Sequence, residues 1–316
     1  MVIDYGFDFH HLPRLHEPLG RGQIRRYVED FQVDEILGFE PSGEGEHQLL
    51  RIRKRNQNSR WVAAQIADLA GVQIGDVGFC GLKDRSAMST QWFSLYVPAR
   101  EVPASQLAHH DFDLITTQRH HKKLRRGMHA GNYFSLVVRD FHADHAMLDK
   151  RLKRLCEGGV PNYFAEQRFG HAGGNLVQAQ RLIDAGKLRG NRHGTGMYLS
   201  AARAWLFNLV LAQHVANDRA GDCALVGETG PLWGRGRTVA LAHLVSIEAE
   251  VLAAWPQWRH ALEHAGLGQE RRELLLRPRD LSLDWLQPAQ FKIQFTLPKG
   301  CFATAVLREI GEFFRP

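Results

Sequence analysis

Asp84 stands between Lys83 and Arg85 in the segment Phe79-Cys80-Gly81-Leu82-Lys83-Asp84-Arg85-Ser86-Ala87. Two flanking cations favour its ionised form, and each unit of pKa depression corresponds to about 1.4 kcal/mol. A carboxylate held in that form can act as a nucleophile or as a base. The same spacing also describes a solvated turn carrying a surface ion pair. Taken alone, the segment nominates a residue without choosing between these uses.

A second group, Ala130-Gly131-Asn132-Tyr133-Phe134, enters a strand just after a basic run that ends at Arg126. Cations attract a phosphate backbone, exposed rings stack on unpaired bases, and an Asn amide can read a base edge. The plainer reading makes Phe134 a core strand residue and Asn132 a turn residue. A third group, Pro161-Asn162-Tyr163-Phe164-Ala165-Glu166-Gln167-Arg168-Phe169-Gly170, combines three aromatics with Arg168. Packing and capping account for most of it, and Arg168 is the residue least expected to be idle.

Charge points the same way as these groups. The formal net charge is +6, and two stretches carry it without any acid: Arg51, Arg53, Lys54, Arg55 and Arg60, then Arg119, Lys122, Lys123, Arg125 and Arg126 beside His120 and His121. Clustered rather than scattered cations favour a polyanionic partner. A non-catalytic RNA-binding protein would need these clusters and the aromatics but not Asp84. Alternatively, Asp30, Asp34 and Glu35 would suit a metal-dependent nuclease, or simply a solvated turn.

Other chemistries lose ground by absence. The sequence contains no Walker A loop, no strand-linked Gly-x-Gly-x-x-Gly, no His-Glu-x-x-His and no Gly-x-Ser-x-Gly. The Gly234-Arg235-Gly236-Arg237 turn lacks the strand and helix of a phosphate loop, and the adjacent pair His120-His121 reads as solvated basic surface. Cys80, Cys156, Cys223 and Cys301 are widely spaced and form no Cys-x-x-Cys pair, as expected in a reducing cytoplasm. No run of eighteen apolar residues occurs, and the N-terminal stretch carries Asp4, Asp8 and several His where a signal peptide would be apolar. With 44% hydrophobic and 23% charged residues, the chain falls in the globular class and outside the disordered one.

The elements that must position these residues are partly legible. His47 to Arg53, Gln91 to Val97 and Tyr133 to Asp140 read as strands. Between the first two, Asn58-Ser59 and Gly71 bracket Trp61, Ile66 and Leu69 at helical spacing. From Met147 the character becomes helical, with Leu148, Leu152 and Leu155 on one face and Gly158-Gly159 as the stop. Leu176 to Ala185, Ser200 to Ala216 and Ile247 to Leu267 read as further helices, separated by Gly-rich turns. Phe291, Ile293, Phe295 and Leu297 alternate with polar residues as a half-buried strand, and Phe302 to Phe314 places Val306, Ile310 and Phe313 at helical spacing. The expected fold is α+β, a mixed or antiparallel sheet domain made from both chain ends with a mainly helical insertion between them.

Taken in order, nine strings resemble the D-type tRNA pseudouridine synthases, which modify uridine 13. They are Glu29-Asp30-Phe31, Gly43-Glu44-Gly45-Glu46-His47, Gly81-Leu82-Lys83-Asp84, Gln91-Trp92, Gly131-Asn132-Tyr133-Phe134, Pro161-Asn162-Tyr163-Phe164, Gln167-Arg168-Phe169-Gly170, Leu199-Ser200-Ala201-Ala202-Arg203 and Gly300-Cys301-Phe302-Ala303-Thr304. The resemblance implies a pseudouridine-synthase catalytic core over 1–157 and 273–316, with a family-specific α/β domain inserted at 158–272. It implies that Asp84 is catalytic, that Phe31, Asn132 and Phe302 line the uridine pocket, and that Lys83 lies close by, with Phe134 a further wall candidate. Arg25 stands where the family often has lysine.

The implied chemistry is an isomerisation: the N1–C1′ bond breaks, uracil turns, and C5 joins C1′, with no net redox change or hydrolysis. No cofactor or metal is expected. An ionised carboxylate can attack the sugar or the base, or deprotonate the sugar to give a glycal. Arg25, Arg53, Lys54, Arg60, Lys122, Lys123, Arg125 and Arg168 are the expected RNA contacts. The implied partner is tRNA, and the protein is expected to be a monomer of the cytoplasm without membrane attachment.

Overall fold

The computed structural model of the chain describes residues 7–98, 100–188, 194–217, 225–238 and 240–315. Asp4 and Cys223 lie outside the described residues. The strands are β1 (Arg21–Ile24), β2 (Phe31–Ile36), β3 (His47–Arg55), β4 (Val77–Phe79), β5 (Met88–Tyr96), β6 (Phe112–His120), β7 (Gly131–Arg139), β8 (Val160–Pro161), β9 (Thr229–Leu232), β10 (Glu270–Glu273), β11 (Leu275–Leu276), β12 (Arg279–Gln287), β13 (Gln290–Pro298) and β14 (Glu312–Phe314). The helices are α1 (Ser59–Ala70), α2 (His145–Gly158), α3 (Gly174–Asp184), α4 (Thr195–Asn217), α5 (Ala242–Leu252), α6 (Pro256–Glu263) and α7 (Ala303–Arg308).

Two compact units divide the chain. The sheet unit comprises Gly20–Met147, Pro278–Gly300 and Glu312–Pro316; the helical unit comprises Met1–Leu19, Leu148–Arg277 and Cys301–Gly311. In the sheet unit, ten strands form one mixed sheet in the order β12-β13-β7-β2-β5-β3-β6, with β1 joining β7 and β14, and β4 joining β5. The pairs β2–β5 and β1–β14 are parallel, and the remaining pairs are antiparallel. This is the mixed α+β architecture that the strand and helix patterns led us to expect.

Local sequence explains the framework of this unit. Alternation along β13 buries Phe291, Ile293 and Phe295 completely, each contributing roughly 1.5–3 kcal/mol of transfer free energy. Helix α1 starts where Asn58 Oδ1 accepts the Trp61 amide hydrogen at 2.9 Å and stops at Gly71, whose φ of +64° suits a residue without Cβ. Its buried face, Val62, Ala63, Ile66, Ala67 and Ala70, shares a core with Leu50, Ile52, Phe93 and Leu95 of β3 and β5.

The helical unit is organised on α4, whose buried residues Leu199, Trp205, Leu206, Phe207, Val210 and Leu211 occupy nearly all sides of the helix. Phe164, Phe169, Leu176 and Trp258 pack in the same core. Two helices expected from spacing are not formed as such. The pattern at 247–267 breaks because Pro256 lacks an amide hydrogen and begins a new helix, α6, in the first-turn position that tolerates it. After α7, the chain does not continue helically to Phe314: Phe313 lies on β14, pairs with Gly22, and stacks on Phe141 with ring centroids 5.7 Å apart.

Candidate active site

Strand register builds the first wall. On β2, Phe31, Val33 and Glu35 share the buried face, and across the antiparallel pair they stand opposite Leu136, Phe134 and Asn132 of β7. Gly131 makes the approach of β7 to β13 possible, since a Cβ there would sit 2.3 Å from the Leu297 carbonyl oxygen. Phe134 is buried between Phe295, at 5.5 Å, and the edge of Phe31, at 6.4 Å. It therefore supports Phe31 from beneath.

The loop from β4 to β5 supplies the second wall. Gln91 Nε2 donates to the Gly81 carbonyl at 2.6 Å, Ser59 Oγ donates to Gln91 Oε1 at 2.7 Å, and the Lys83 amide donates to Ser59 Oγ at 3.0 Å. The start of α1 and the middle of β5 thus pin the loop through side chains. Arg85 turns away from Asp84 and donates from Nε to the Asn56 carbonyl at 3.1 Å.

The cation that faces Asp84 is Arg25, not one of its sequence neighbours. Arg25 Nη1 lies 2.5 Å from Asp84 Oδ2 and also donates to the Ser86 carbonyl at 2.9 Å, while the Ser86 amide donates to Asp84 Oδ1 at 3.1 Å. The guanidinium carbon sits 3.7 Å above the centre of the Phe31 ring. Reaching this position requires a left-handed backbone at Arg25, with φ +62°. Burial pushes the Asp84 carboxyl up, but the Arg25 charge and hydrogen bond, the Ser86 amide and Arg315 outweigh it and hold the carboxyl below its ordinary value. Asp84 keeps 27% of its side-chain surface exposed, so the anion is both stabilised and reachable.

Beside it, Lys83 Nζ bridges Glu35 Oε2 at 2.7 Å and Asn132 Oδ1 at 2.6 Å. Glu35, raised from sequence only as a nuclease ligand, was not expected as the partner of Lys83. Its signal is positional: an acid standing in phase with the buried Phe31 and Val33. The nuclease alternative loses its ligands here. Asp30 grips Arg139 through both oxygens, at 2.8 and 3.0 Å, Glu35 pairs with Lys83, and Asp34 alternates to the opposite face of β2. Among the described residues, the group whose atoms could share a metal ion is His109, His110 and Asp111, ahead of β6.

The expected RNA contacts separate into surface and interior. Arg53, Arg60, Lys122 and Arg125 are exposed, and Lys123 is half-buried, donating to the Gly75 carbonyl. Arg60 lies near enough to add to the burial that lowers the Arg126 pKa, so the two basic runs meet. Lys54, by contrast, is wholly buried and unavailable to phosphate. Its ammonium donates to the Gln57 carbonyl at 2.5 Å and the Asp84 carbonyl at 3.3 Å, and burial pushes its pKa down to about 8. Arg25 is likewise internal, with 5% of its side chain exposed. Arg168 and Phe302 belong to the helical unit, where the guanidinium carbon lies 6.0 Å from the Phe302 ring centre and 5.5 Å from that of Phe164; Arg168 also donates to Ser200 Oγ at 3.0 Å.

Comparison with known proteins gives one consistent result. The profile of the family described as tRNA pseudouridine synthase D matches residues 15–190 and 227–310. The chain is 45% identical over 320 residues to a tRNA pseudouridine synthase D of Cellvibrio japonicus, covering 97% of this chain and 94% of that one. It is 40% identical over 340 residues to the protein of that name from Methylococcus capsulatus, covering 98% and 96%. In fold it is similar to the crystal structure of a putative tRNA pseudouridine synthase D from Methanosarcina mazei, with a TM-score of 0.64, 20% identity, and coverage of 94% and 95%.

Proposed function

Since the chain belongs to the tRNA pseudouridine synthase D family, we propose that Asp84 is its catalytic carboxylate and uridine 13 of tRNA its target. The protein isomerises uridine to pseudouridine in tRNA. The observation that carries the assignment of Asp84 is its ion pair with Arg25: an anion held below its ordinary pKa, partly open to solvent, and one residue from the Lys83–Asn132 contact.

In this reading Arg25 and the Ser86 amide fix the carboxylate that meets the substrate. The carboxylate attacks the sugar or the base, or takes a sugar proton, as the N1–C1′ bond breaks and its electron pair passes to uracil. The base turns within the pocket, C5 bonds to C1′ as the carboxylate's own bond breaks or its borrowed proton returns to the sugar, the C5 proton leaves, and N1 gains one. Atoms and electrons balance without a redox partner or water, so Asp84 and its neighbours suffice. Unstacking the target uridine costs a few kcal/mol, less in a loop, and Phe31 is assigned to its pocket.

Arg53, Arg60, Lys122 and Arg125 hold tRNA phosphates, residues 158–272 form the family-specific inserted domain, and the protein works as a cytoplasmic monomer. Among the described residues no helix is long and apolar enough to cross a membrane. Asp84→Asn tests the central assignment. The variant is expected to bind tRNA and form no pseudouridine, as read by chemical mapping of the product with and without a chelator. Product from the variant would overturn the assignment, and chelator-sensitive cleavage by wild type would restore the nuclease.

A further inference from the structure

Glu35 and Asn132 stand directly opposite each other on β2 and β7, and Lys83 from the catalytic loop joins them. The Glu35 side chain has no exposed surface; its Oε1 accepts the Trp92 amide hydrogen at 3.2 Å and its Oε2 lies 2.7 Å from Lys83 Nζ. A buried carboxylate without a cation is costly, so Lys83 is held in place by charge. An ammonium has only donors. The atom of Asn132 that faces it at 2.6 Å is therefore the amide oxygen, Oδ1, and the amide cannot flip without setting two donors against each other. Nδ2 is left on the other side of the amide, and no acceptor for it is found among the described residues.

We propose that Glu35, acting through Lys83, locks Asn132 with its NH₂ group toward the base, so that the pocket selects a pyrimidine with a carbonyl at C4 and rejects one with an amino group. This rests on the reading that Asn132 lines the uridine pocket. Uracil offers O4 as an acceptor where cytosine presents a second donor. A site built to hydrogen-bond one group rejects the analogue strongly, because its own donor is then left buried and unpaired. The choice also suits the reaction. When uracil turns about the line through N3 and C6, O2 takes the place of O4, so Nδ2 meets a carbonyl oxygen before and after the turn. In cytosine, the turn would exchange a carbonyl for an amino group. Glu35 and Lys83 are positioning residues here, acting on the base only through Asn132.

The experiment is competition. A tRNA transcript that the wild-type enzyme converts is challenged by the same transcript carrying cytidine at the target position, or by an unlabelled uridine copy. For the wild type, the cytidine transcript is expected to compete at least about tenfold more weakly than the uridine copy. Glu35→Gln, and independently Lys83→Met should Glu35→Gln fail to fold, are expected to bring the two within about threefold. Asn132→Asp, which offers an acceptor in place of the donor, is expected to favour the cytidine transcript. A variant that only loosens the fold weakens both competitors alike and keeps the ratio, which counts against the proposal. If Glu35→Gln and Lys83→Met keep the ratio while Asn132→Ala abolishes it, the relay is overturned and Asn132 remains the base contact. If Asn132→Ala also keeps it, the pocket reading itself falls.

Discussion

Arg25 donates to the Asp84 carboxylate and to the backbone carbonyl of Ser86, so one guanidinium holds both the carboxylate proposed to react and the loop that carries it. Both bonds leave from one arm of the guanidinium fork, Nη1, whose two hydrogens reach two different acceptors.

Removing that fork should move the acid limb of the pH–rate profile. The proposed reaction needs Asp84 ionised, and its pKa lies below the ordinary value because Arg25 and its neighbours outweigh burial. In Arg25→Met the charge and hydrogen bond that oppose burial are removed, so the acid limb of kcat/KM shifts upward; Arg25→Lys falls between the two. By linkage, the depressed pKa contributes stability above pH 3.8 that is lost as pH falls through the folded value. An unchanged limb in Arg25→Met would show that Arg25 does not set the protonation of the reacting group.

Lys54 gives an alkaline signature. Its pKa falls from 10.5 to about 8 on folding, so between these values the unfolded chain binds more protons and stability rises with pH. The wild type should gain up to about 3 kcal/mol more than Lys54→Met between pH 8 and pH 10.5. Urea unfolding at both pH values measures the difference, and equal gains in the two proteins would refute it.

Glu309, in the helical unit, behaves in the opposite sense. Burial raises its carboxyl to about 7, even though Oε2 accepts the His16 amide hydrogen at 3.1 Å. A raised folded pKa contributes stability that is full below pH 4.5 and is lost as pH rises through about 7. Glu309→Gln, neutral throughout, should match the wild type at pH 4.5 and exceed it by roughly 2–3 kcal/mol at pH 8. Thermal melts at the two pH values decide it; parallel melting curves for both proteins would count against the buried charge.

Salt dependence should sort the basic residues. Replacing exposed Lys122 or Arg125 by Ala should weaken tRNA binding similarly for every tRNA and flatten the log–log salt slope by about one unit per phosphate lost. Lys54→Met should leave the slope alone, because that ammonium never reaches solvent. Filter binding across a salt series reads both, and a flattened slope for Lys54→Met would contradict its burial.

Much of the framework was legible because its signals are local. Asn58 and Gly71 bracket α1, and alternation marks β13. The helix expected across 302–314 failed because Phe313 is decided by distant partners, Gly22 and Phe141, which no window of neighbouring residues contains. Lys54 failed for a related reason: a charged residue in a basic run reads as surface, yet strand alternation with Leu50 and Ile52 puts it in the interior. At the site, the order of short strings nominated Asp84, Lys83, Asn132 and Phe31. The same strings could not supply the hydrogen-bonding hierarchy. Arg85 is adjacent to Asp84 in sequence but faces elsewhere, whereas Glu35 arrives on a strand whose neighbours are set by register and Arg25 turns in with a left-handed backbone just past β1.

Register also sets a schedule for synthesis. Asn132 sits on a strand whose far edge is covered by β13, and the Gly131 approach is closed only by residues Leu297 and Pro298. A nascent chain on the ribosome can build α1 and the antiparallel β3–β5 pair early, yet its β7 edge stays unpaired until nearly the whole polypeptide has emerged. The enzyme is therefore expected to gain activity only once β13 has paired. Any truncation before β12 should yield a chain with an open strand edge, suited to chaperone capture or aggregation rather than catalysis.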